Sequence, residues 1–209
     1  MMDYSKIRRD YVHDPLSADE MDKDPFIQFR NWFDEAYKVF DQDTNTMALA
    51  TADSKGRPSV RMVLLKGLTE EGFLFFTDYE GRKGGELARN PQAALLFFWP
   101  GMDRQVRIEG QVRKTSVQKS DEYFDSRPLG SRMSAIASHQ SEKTTMAELE
   151  AARDRIEQTG DLSRPARWGG FELIPDYFEF WQGRKNRFHD RMIYDRRDKT
   201  EYEIYRIAP

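Results

Sequence analysis

The sequence predicts a mainly β protein with flanking helices, and three observations carry that prediction. From Met47 the pattern changes to that of strands, over 47–52, 59–66, 73–77, 93–99 and 105–114. Links between the first three stretches are too short for helical crossovers, so their pairing is expected to be antiparallel, as in a meander or barrel. Strand periodicity then returns at 171–174, 177–182, 187–195 and 202–207, after two helical stretches. Late strands are therefore expected to close against early ones within a single β-rich domain.

Each element has a local reason. Residues 1–24 are polar and include an acidic, proline-containing run, which reads as a flexible arm preceding a single domain over 25–209. Asp24-Pro25 is an N-cap followed by proline at the first helical position, and Phe26, Phe29, Trp32 or Phe33, Ala36, Tyr37 and Phe40 keep helical spacing. A turn at Asp53-Ser54-Lys55-Gly56 joins the first two strands. Gly81 to Arg89 reads as a short helix ending before Asn90-Pro91, and Val117 to Arg127 as a second one stopped by Pro128. Thr145-Met146-Ala147-Glu148 has the capping-box pattern and starts a helix that ends near Gly160.

Composition narrows the function. The 209 residues carry 33% charged side chains and a net charge of −3, so general nucleic-acid affinity is not indicated and any anion binding must be local. There is no cysteine, which excludes disulfides, thiolate nucleophiles and cysteine-ligated metals. The first residues lack an apolar signal core and no stretch approaches a membrane span, so a cytoplasmic location and no membrane partner are expected. The three histidines, His13, His139 and His189, show no metal-ligand spacing, and no metal is expected. A chain with local cationic spots and no nucleophile motif points to an organic cofactor that does the chemistry.

Four spots stand out. If 187–191 is extended, Arg187, His189 and Arg191 share one strand face, a self-repulsive arrangement unless an anion or polar ligand sits against it; a solvated edge strand is the alternative. Arg61 and Lys66 bracket an apolar strand at an odd separation, so they either serve two anions on opposite faces or simply end in solvent. Gly81-Arg82-Lys83-Gly84-Gly85 lies between strand and helix, where backbone N–H groups could meet a phosphate. Tyr123 and Arg127 share a helix face with Ser131 just beyond, a set suited to phosphate, although an arginine in a last turn also answers the helix dipole.

Phe178-Glu179-Phe180-Trp181-Gln182-Gly183, four residues, then Arg187-Phe188-His189-Asp190-Arg191 resembles the signature of the pyridoxamine 5′-phosphate oxidase family. The segments 61–66, Arg82-Lys83, Arg104-Gln105-Val106, Tyr123 with Ser126-Arg127-Pro128, Gln140-Ser141 and the closing Arg206-Ile207-Ala208-Pro209 follow in that family's order. The resemblance implies an FMN-binding split β-barrel whose homodimer builds two equivalent sites at the subunit interface. It implies that Arg61, Met62, Val63, Leu64, Phe76, Thr77, Arg82, Lys83, Gln105, Gln140, Ser141, Trp181 and Arg191 hold FMN. It further implies that Lys66, Tyr123, Arg127 and Ser131 hold the phosphate of a B6 substrate, that Arg187 and His189 flank its ring as catalytic residues, and that Arg8 and Tyr11 cover it. The implied reaction oxidises pyridoxamine and pyridoxine 5′-phosphates to pyridoxal 5′-phosphate, with oxygen as acceptor and hydrogen peroxide as product. A non-catalytic FMN or pyridoxal phosphate carrier, or another flavin reductase, is the competing reading. Two stretches depart from the family pattern: Val12-His13-Asp14-Pro15 replaces a usual glycine pair, and Arg132-Met133-Ser134-Ala135-Ile136 replaces Gln-Ile-Gly-Ala-Trp.

Overall fold

In the computed structural model, which describes residues 2–6, 9–11, 13, 15–198 and 201–209, the alternating stretches form a nine-stranded sheet. Its strands are β1 (Thr46–Ala52), β2 (Pro58–Leu64), β3 (Gly67–Leu68), β4 (Phe73–Asp78), β5 (Gln92–Trp99), β6 (Arg104–Lys114), β7 (Trp168–Gln182), β8 (Asp190–Arg196) and β9 (Tyr202–Arg206). Hydrogen bonding runs in the order β2-β1-β5-β6-β7-β4-β3, with β8 joined to β7 and β9 to β8. Among the described residues five α-helices accompany them: α1 (Pro25–Phe40), α2 (Arg82–Arg89), α3 (Val117–Ser126), α4 (Leu129–Ala137) and α5 (Met146–Thr159). The mainly β class with flanking helices is thus the observed one. No helix among the described residues is long and apolar enough to cross a membrane.

Packing divides the chain into two compact units, each discontinuous in sequence. The first contains Met1–Ala48, Ala94–Glu109 and Pro175–Pro209. Its helix α1 starts where Asp24 accepts a hydrogen bond from the Phe26 N–H at 2.8 Å and Pro25 fills the first helical position. Phe29, Trp32 and Ala36, spaced by three and four, form its buried stripe. Phe29 meets Phe97 at 5.0 Å, and Trp32 meets Phe180 edge-on at 5.2 Å. The Arg104 guanidinium lies 4.4 Å from the centroid of the Trp32 ring. In the same unit β7 pairs antiparallel with β8, setting Trp181 opposite Arg191 and Gln182 opposite Asp190.

The second unit contains Leu49–Ala93 and Gly110–Ile174. Here β4 pairs antiparallel with β7, Phe76 opposite Gly170 and Thr77 opposite Gly169. Both glycines are required by close approach: a Cβ at Gly169 would lie 2.2 Å from the Tyr79 hydroxyl, and one at Gly170 2.5 Å from Thr115 Oγ1. Helix α2 leaves the end of β4 through a turn in which Asp78 accepts from the Glu80 and Gly81 N–H groups. A Cβ on Gly84 would overlap the Tyr79 carbonyl at 2.1 Å, so only glycine lets α2 settle on that turn.

Four expectations need correction. The stretches 171–174 and 177–182 are one strand, β7; Pro175 is tolerated because it falls between the residues paired to β4 and those paired to β8. The strand predicted over 59–66 ends at Leu64, and Lys66 follows it, its N–H bonded to the Leu74 carbonyl. The odd-number parity between Arg61 and Lys66 therefore does not apply. Strand β8 starts only at Asp190. Residues 185–187 form a single 3-10 turn with Asn186 and Arg187 both left-handed, so Arg187, His189 and Arg191 do not share a regular strand face. Finally, Pro128 ends α3 and at once opens α4, a helix the sequence reading did not contain.

Candidate active site

One cavity of about 430 Å³ in the second unit is lined by Arg61, Met62, Val63, Leu64, Lys66, Phe76, Thr77, Lys83, Tyr123, Arg127, Gln140 and Trp168. All but Trp168 are residues the sequence singled out. Strand β2 supplies Arg61, Met62, Val63 and Leu64 to its wall, with Val60, Met62 and Leu64 exposed and Ser59, Arg61 and Val63 half-buried along it. Strand β4 adds Phe76 and Thr77, and the start of α2 adds Lys83.

At one side of the cavity the cations are oriented by a buried carboxylate. Glu86 accepts from Thr51 at 2.5 Å and Ser59 at 2.6 Å, and pairs with Arg61 at 3.2 Å and Arg82 at 2.9 Å. Arg61 also donates to the Leu49 carbonyl and the Thr51 hydroxyl. Burial alone would raise the Glu86 carboxyl, but the hydrogen bonds from Ser59, Thr51, Arg82 and Arg61 outweigh it and hold the group at about 2. Because that value lies below the ordinary 4.5, the stabilisation is present above pH 4.5 and is lost as pH falls toward 2. Denaturant midpoints measured across that window should fall in the native protein and fall less in Glu86→Gln.

Lys83 is only 8% exposed, and it donates to Thr77 at 3.1 Å and to Gln140. Burial, then the charge of Arg61, depress its pKa against the opposing pull of Asp78 and Glu86. No carboxylate pairs with it directly among the described residues. Asp78 is instead paired with Arg167 at 3.2 Å. Four cations, Arg61, Arg82, Lys83 and Arg167, thus stand around two carboxylates, Glu86 and Asp78, which leaves a surplus of two positive charges. A phosphate monoester carries close to that charge at neutral pH.

The second cationic spot is built on rings. Phe76, Tyr123 and Trp168 lie nearly parallel, with Phe76 to Tyr123 at 3.9 Å and Phe76 to Trp168 at 5.9 Å. The Arg127 guanidinium stands 4.6 Å over the Trp168 ring. Its Nη1 is buried without a hydrogen-bond partner among the described residues, and burial depresses its pKa although Tyr123 opposes the shift. Burial likewise raises the Tyr123 phenol, against Arg127. A buried guanidinium nitrogen left unpaired is costly unless a ligand oxygen meets it. The exposed Lys66 lines the same cavity and adds a second cation toward such a ligand. The donor set therefore fits two phosphate-bearing groups, one at each spot.

Arg82, Ser131 and Ser141 belong to this unit without lining the cavity. Arg82 is tied to Glu86, and its N–H donates to the Ser141 hydroxyl at 3.2 Å, with Ser141 left-handed. Ser131 sits in the first turn of α4, its N–H bonded to the Pro128 carbonyl. The departing segment 132–136 is part of that helix. Arg167 caps its C-terminal end by donating to the carbonyls of Ala135, Ile136 and Ser138, two residues before Gln140.

Gln105, Trp181, Arg187, His189, Arg191 and Tyr11 belong to the first unit, and Arg8 lies outside the described residues. Tyr11, Trp181 and His189 form a cluster with ring centroids 4.8–5.8 Å apart. His189 Nδ1 accepts from the Arg184 N–H at 3.1 Å. Burial, then the charge of Arg187, lower the pKa of His189 against Asp190, which favours a neutral imidazole whose proton is on Nε2. Arg187 is exposed in its left-handed turn. Arg191 is committed to Glu179 through Nε at 2.7 Å and Nη2 at 3.0 Å, while Gln105 lies on β6.

Sequence reasoning missed Trp168 and Glu86. Trp168 precedes a glycine pair inside a strand, a sign of close approach by neighbouring groups. Glu86 stands four residues after Arg82 on a helix, a spacing that announces an ion pair.

Comparison with known proteins matches both halves of this description. Residues 33–161 match the family model described as pyridoxamine 5′-phosphate oxidase, and residues 168–209 the one described as pyridoxine 5′-phosphate oxidase C-terminal dimerisation region. A pyridoxine/pyridoxamine 5′-phosphate oxidase from Paraburkholderia phytofirmans is 49% identical, and one from Paraburkholderia phymatum 50% identical, each over 100% of both chains. Among solved structures, PhzG from Burkholderia lata, in complex with tetrahydrophenazine-1-carboxylic acid, superimposes with a TM-score of 0.87 at 29% identity, covering 94% of this chain and 98% of that one. A pyridoxamine 5′-phosphate oxidase-related FMN binding protein from Nostoc punctiforme shares the fold, with a TM-score of 0.73 at 18% identity over 90% of this chain and 100% of its own. The fold class is accordingly the split β-barrel expected from the sequence. With the signature at 178–191, the cation-lined cavity and full-length relatives in agreement, the chain belongs to the pyridoxamine 5′-phosphate oxidase family.

Proposed function

We propose that the protein is an FMN-dependent oxidase that converts pyridoxamine 5′-phosphate and pyridoxine 5′-phosphate to pyridoxal 5′-phosphate. The observation that carries this reading is the pair of under-compensated cationic spots on one ring-lined cavity, around Lys83 and around Arg127. Arg61, Arg82 and Lys83 would hold the phosphate of FMN, with Met62, Val63, Leu64, Phe76, Thr77, Gln140 and Ser141 around the remainder. Lys66, Tyr123, Arg127 and Ser131 would hold the substrate phosphate. When bound, the flavin would supply a hydride acceptor for C4′ of the substrate, with oxygen as the final acceptor giving hydrogen peroxide; in the amine case water then hydrolyses the substrate imine to the aldehyde and ammonia. A homodimer is in keeping with the matched C-terminal dimerisation region, and a second copy would complete each site with Gln105, Trp181, Arg187, His189 and Arg191.

The chain's own contribution is position and charge. Arg127 and Lys66 fix one end of the substrate, so that its ring has little freedom. A neutral His189 offers an N–H donor at Nε2 to an oxygen or nitrogen on the reacting side, and Arg187 adds a cation beside it. Tyr11, its ring 5.2 Å from that imidazole, would cover the bound substrate. Two cations at the substrate spot, Lys66 and an Arg127 whose Nη1 is unpartnered among the described residues, favour a phosphorylated B6 substrate over the carboxylate named with PhzG.

The test is direct. Purified protein should be yellow, release FMN and not FAD on denaturation, and elute as a dimer. Anaerobic addition of pyridoxamine 5′-phosphate should bleach the flavin absorbance. A colourless protein that cannot be reconstituted with FMN overturns the cofactor assignment. A flavin that stays oxidised leaves the carrier reading standing.

A further inference from the structure

We infer that Asp103 is a positioning residue that clasps the N-terminal segment and thereby seats Tyr11 against Trp181 and His189. Asp103 is 4% exposed and occupies the left-handed region, φ 51°, in the bend between β5 and β6. Its carboxylate lies beside both flanking side chains, with Arg9 Nη2 2.6 Å from Oδ1, an oxygen that accepts no hydrogen bond among the described residues, and His13 Nε2 3.2 Å from Oδ2. These two residues flank Tyr11 by two positions on either side. Arg9 also donates to the Pro100 carbonyl at 2.9 Å and stands 5.7 Å from the Tyr11 ring.

The same residue fixes the surface on which Tyr11 rests. The Asp103 carbonyl accepts the Gly183 N–H at 2.8 Å, and the Tyr11 ring fills the place of the absent Cβ, its Cδ1 2.5 Å from where that atom would be. Asp103 thus holds both the segment and the glycine beneath it. His13 stands in the stretch where the family pattern has glycines, so this chain gains a second ligand for the carboxylate where a flexible pair would have none. The inference rests on the proposed function, in which Tyr11 covers bound substrate. It goes further by assigning the order of the covering segment to a carboxylate that touches neither substrate nor flavin.

Asp103→Asn keeps the size, the left-handed preference and the backbone carbonyl while removing the charge. In the FMN-loaded enzyme it should raise KM for pyridoxamine 5′-phosphate roughly fivefold to tenfold, less than a whole charge-assisted bond because the carboxylate acts on substrate only through Tyr11. The value of kcat should stay within about twofold and flavin content unchanged, because no group on the reacting atoms is altered. Trypsin should cleave after Arg9 faster than in the native protein. Arg9→Gln should raise KM comparably, and the double variant should be no worse than either single one, since both break the same contact. Native KM together with native cleavage kinetics in Asp103→Asn overturns the inference. Should Asp103→Asn fail to fold, the exposed pair Arg9→Gln and His13→Gln carries the test, and unchanged KM in their combination overturns it equally. If the native protein does not oxidise the substrate at all, the proposed function has failed, while the cleavage rate still decides whether Asp103 holds the segment.

Discussion

Arg127→Ala is expected to weaken apparent affinity for pyridoxamine 5′-phosphate by about ten- to a hundredfold while FMN content stays near normal. The guanidinium is held over Trp168 with Nη1 buried and unpartnered among the described residues. Its desolvation is therefore already incurred in the free protein, and an incoming phosphate oxygen gains the full charge-assisted bond. The alanine variant should lose that gain without losing fold stability, because it also removes a half-buried cation that has no counter-ion among the described residues. Titration of substrate into the reconstituted variant, with a thermal melt of the same sample, checks both halves. Loss of FMN with normal substrate affinity would mean that the two phosphate spots have been assigned the wrong way round.

Arg187→Ala should retain a full FMN complement and lower the anaerobic flavin reduction rate at saturating substrate by on the order of a hundredfold, the effect of misorienting a reacting group. Two consecutive non-glycine residues, Asn186 and Arg187, are left-handed at φ 58° and 61°. Backbone strain of this kind persists where surrounding structure over-determines it, and it aims the exposed guanidinium out of the line that a regular strand would impose. His189→Ala should act in the same direction less severely, since a neutral imidazole donating from Nε2 orients a substituent without being the sole proton acceptor. Rapid mixing decides: unchanged limiting rates in both variants would reduce these residues to a binding surface.

Much of this was legible before any coordinates because short-range rules governed it. Asp24-Pro25 set the start of α1, and Thr145 and Glu148 close the capping box that starts α5. What escaped depends on competition between rules. Pro128 is both a stop for α3 and a start for α4, and a stop is all that a lone proline announces. The Arg187-x-His189-x-Arg191 spacing satisfies a period of two without being extended, because Asn186 takes the left-handed turn that breaks the strand. Trp168 and Glu86 enter the site through tertiary packing, and no linker marks the two units, since each is assembled from segments distant in sequence.

The surplus of positive charge around Lys83 and Arg127 has a meaning for the life of the chain as well as for its ligands. On the proposed reading, the folded protein carries a repulsion that only bound phosphates relieve, so cofactor capture and folding draw on the same free energy. Newly made chains that have not met a flavin are then the ones that open most often and reach proteases first. Supply of the cofactor would set how much of the protein persists, and a shortage would be felt as scarcity of the polypeptide before it was felt as idle enzyme.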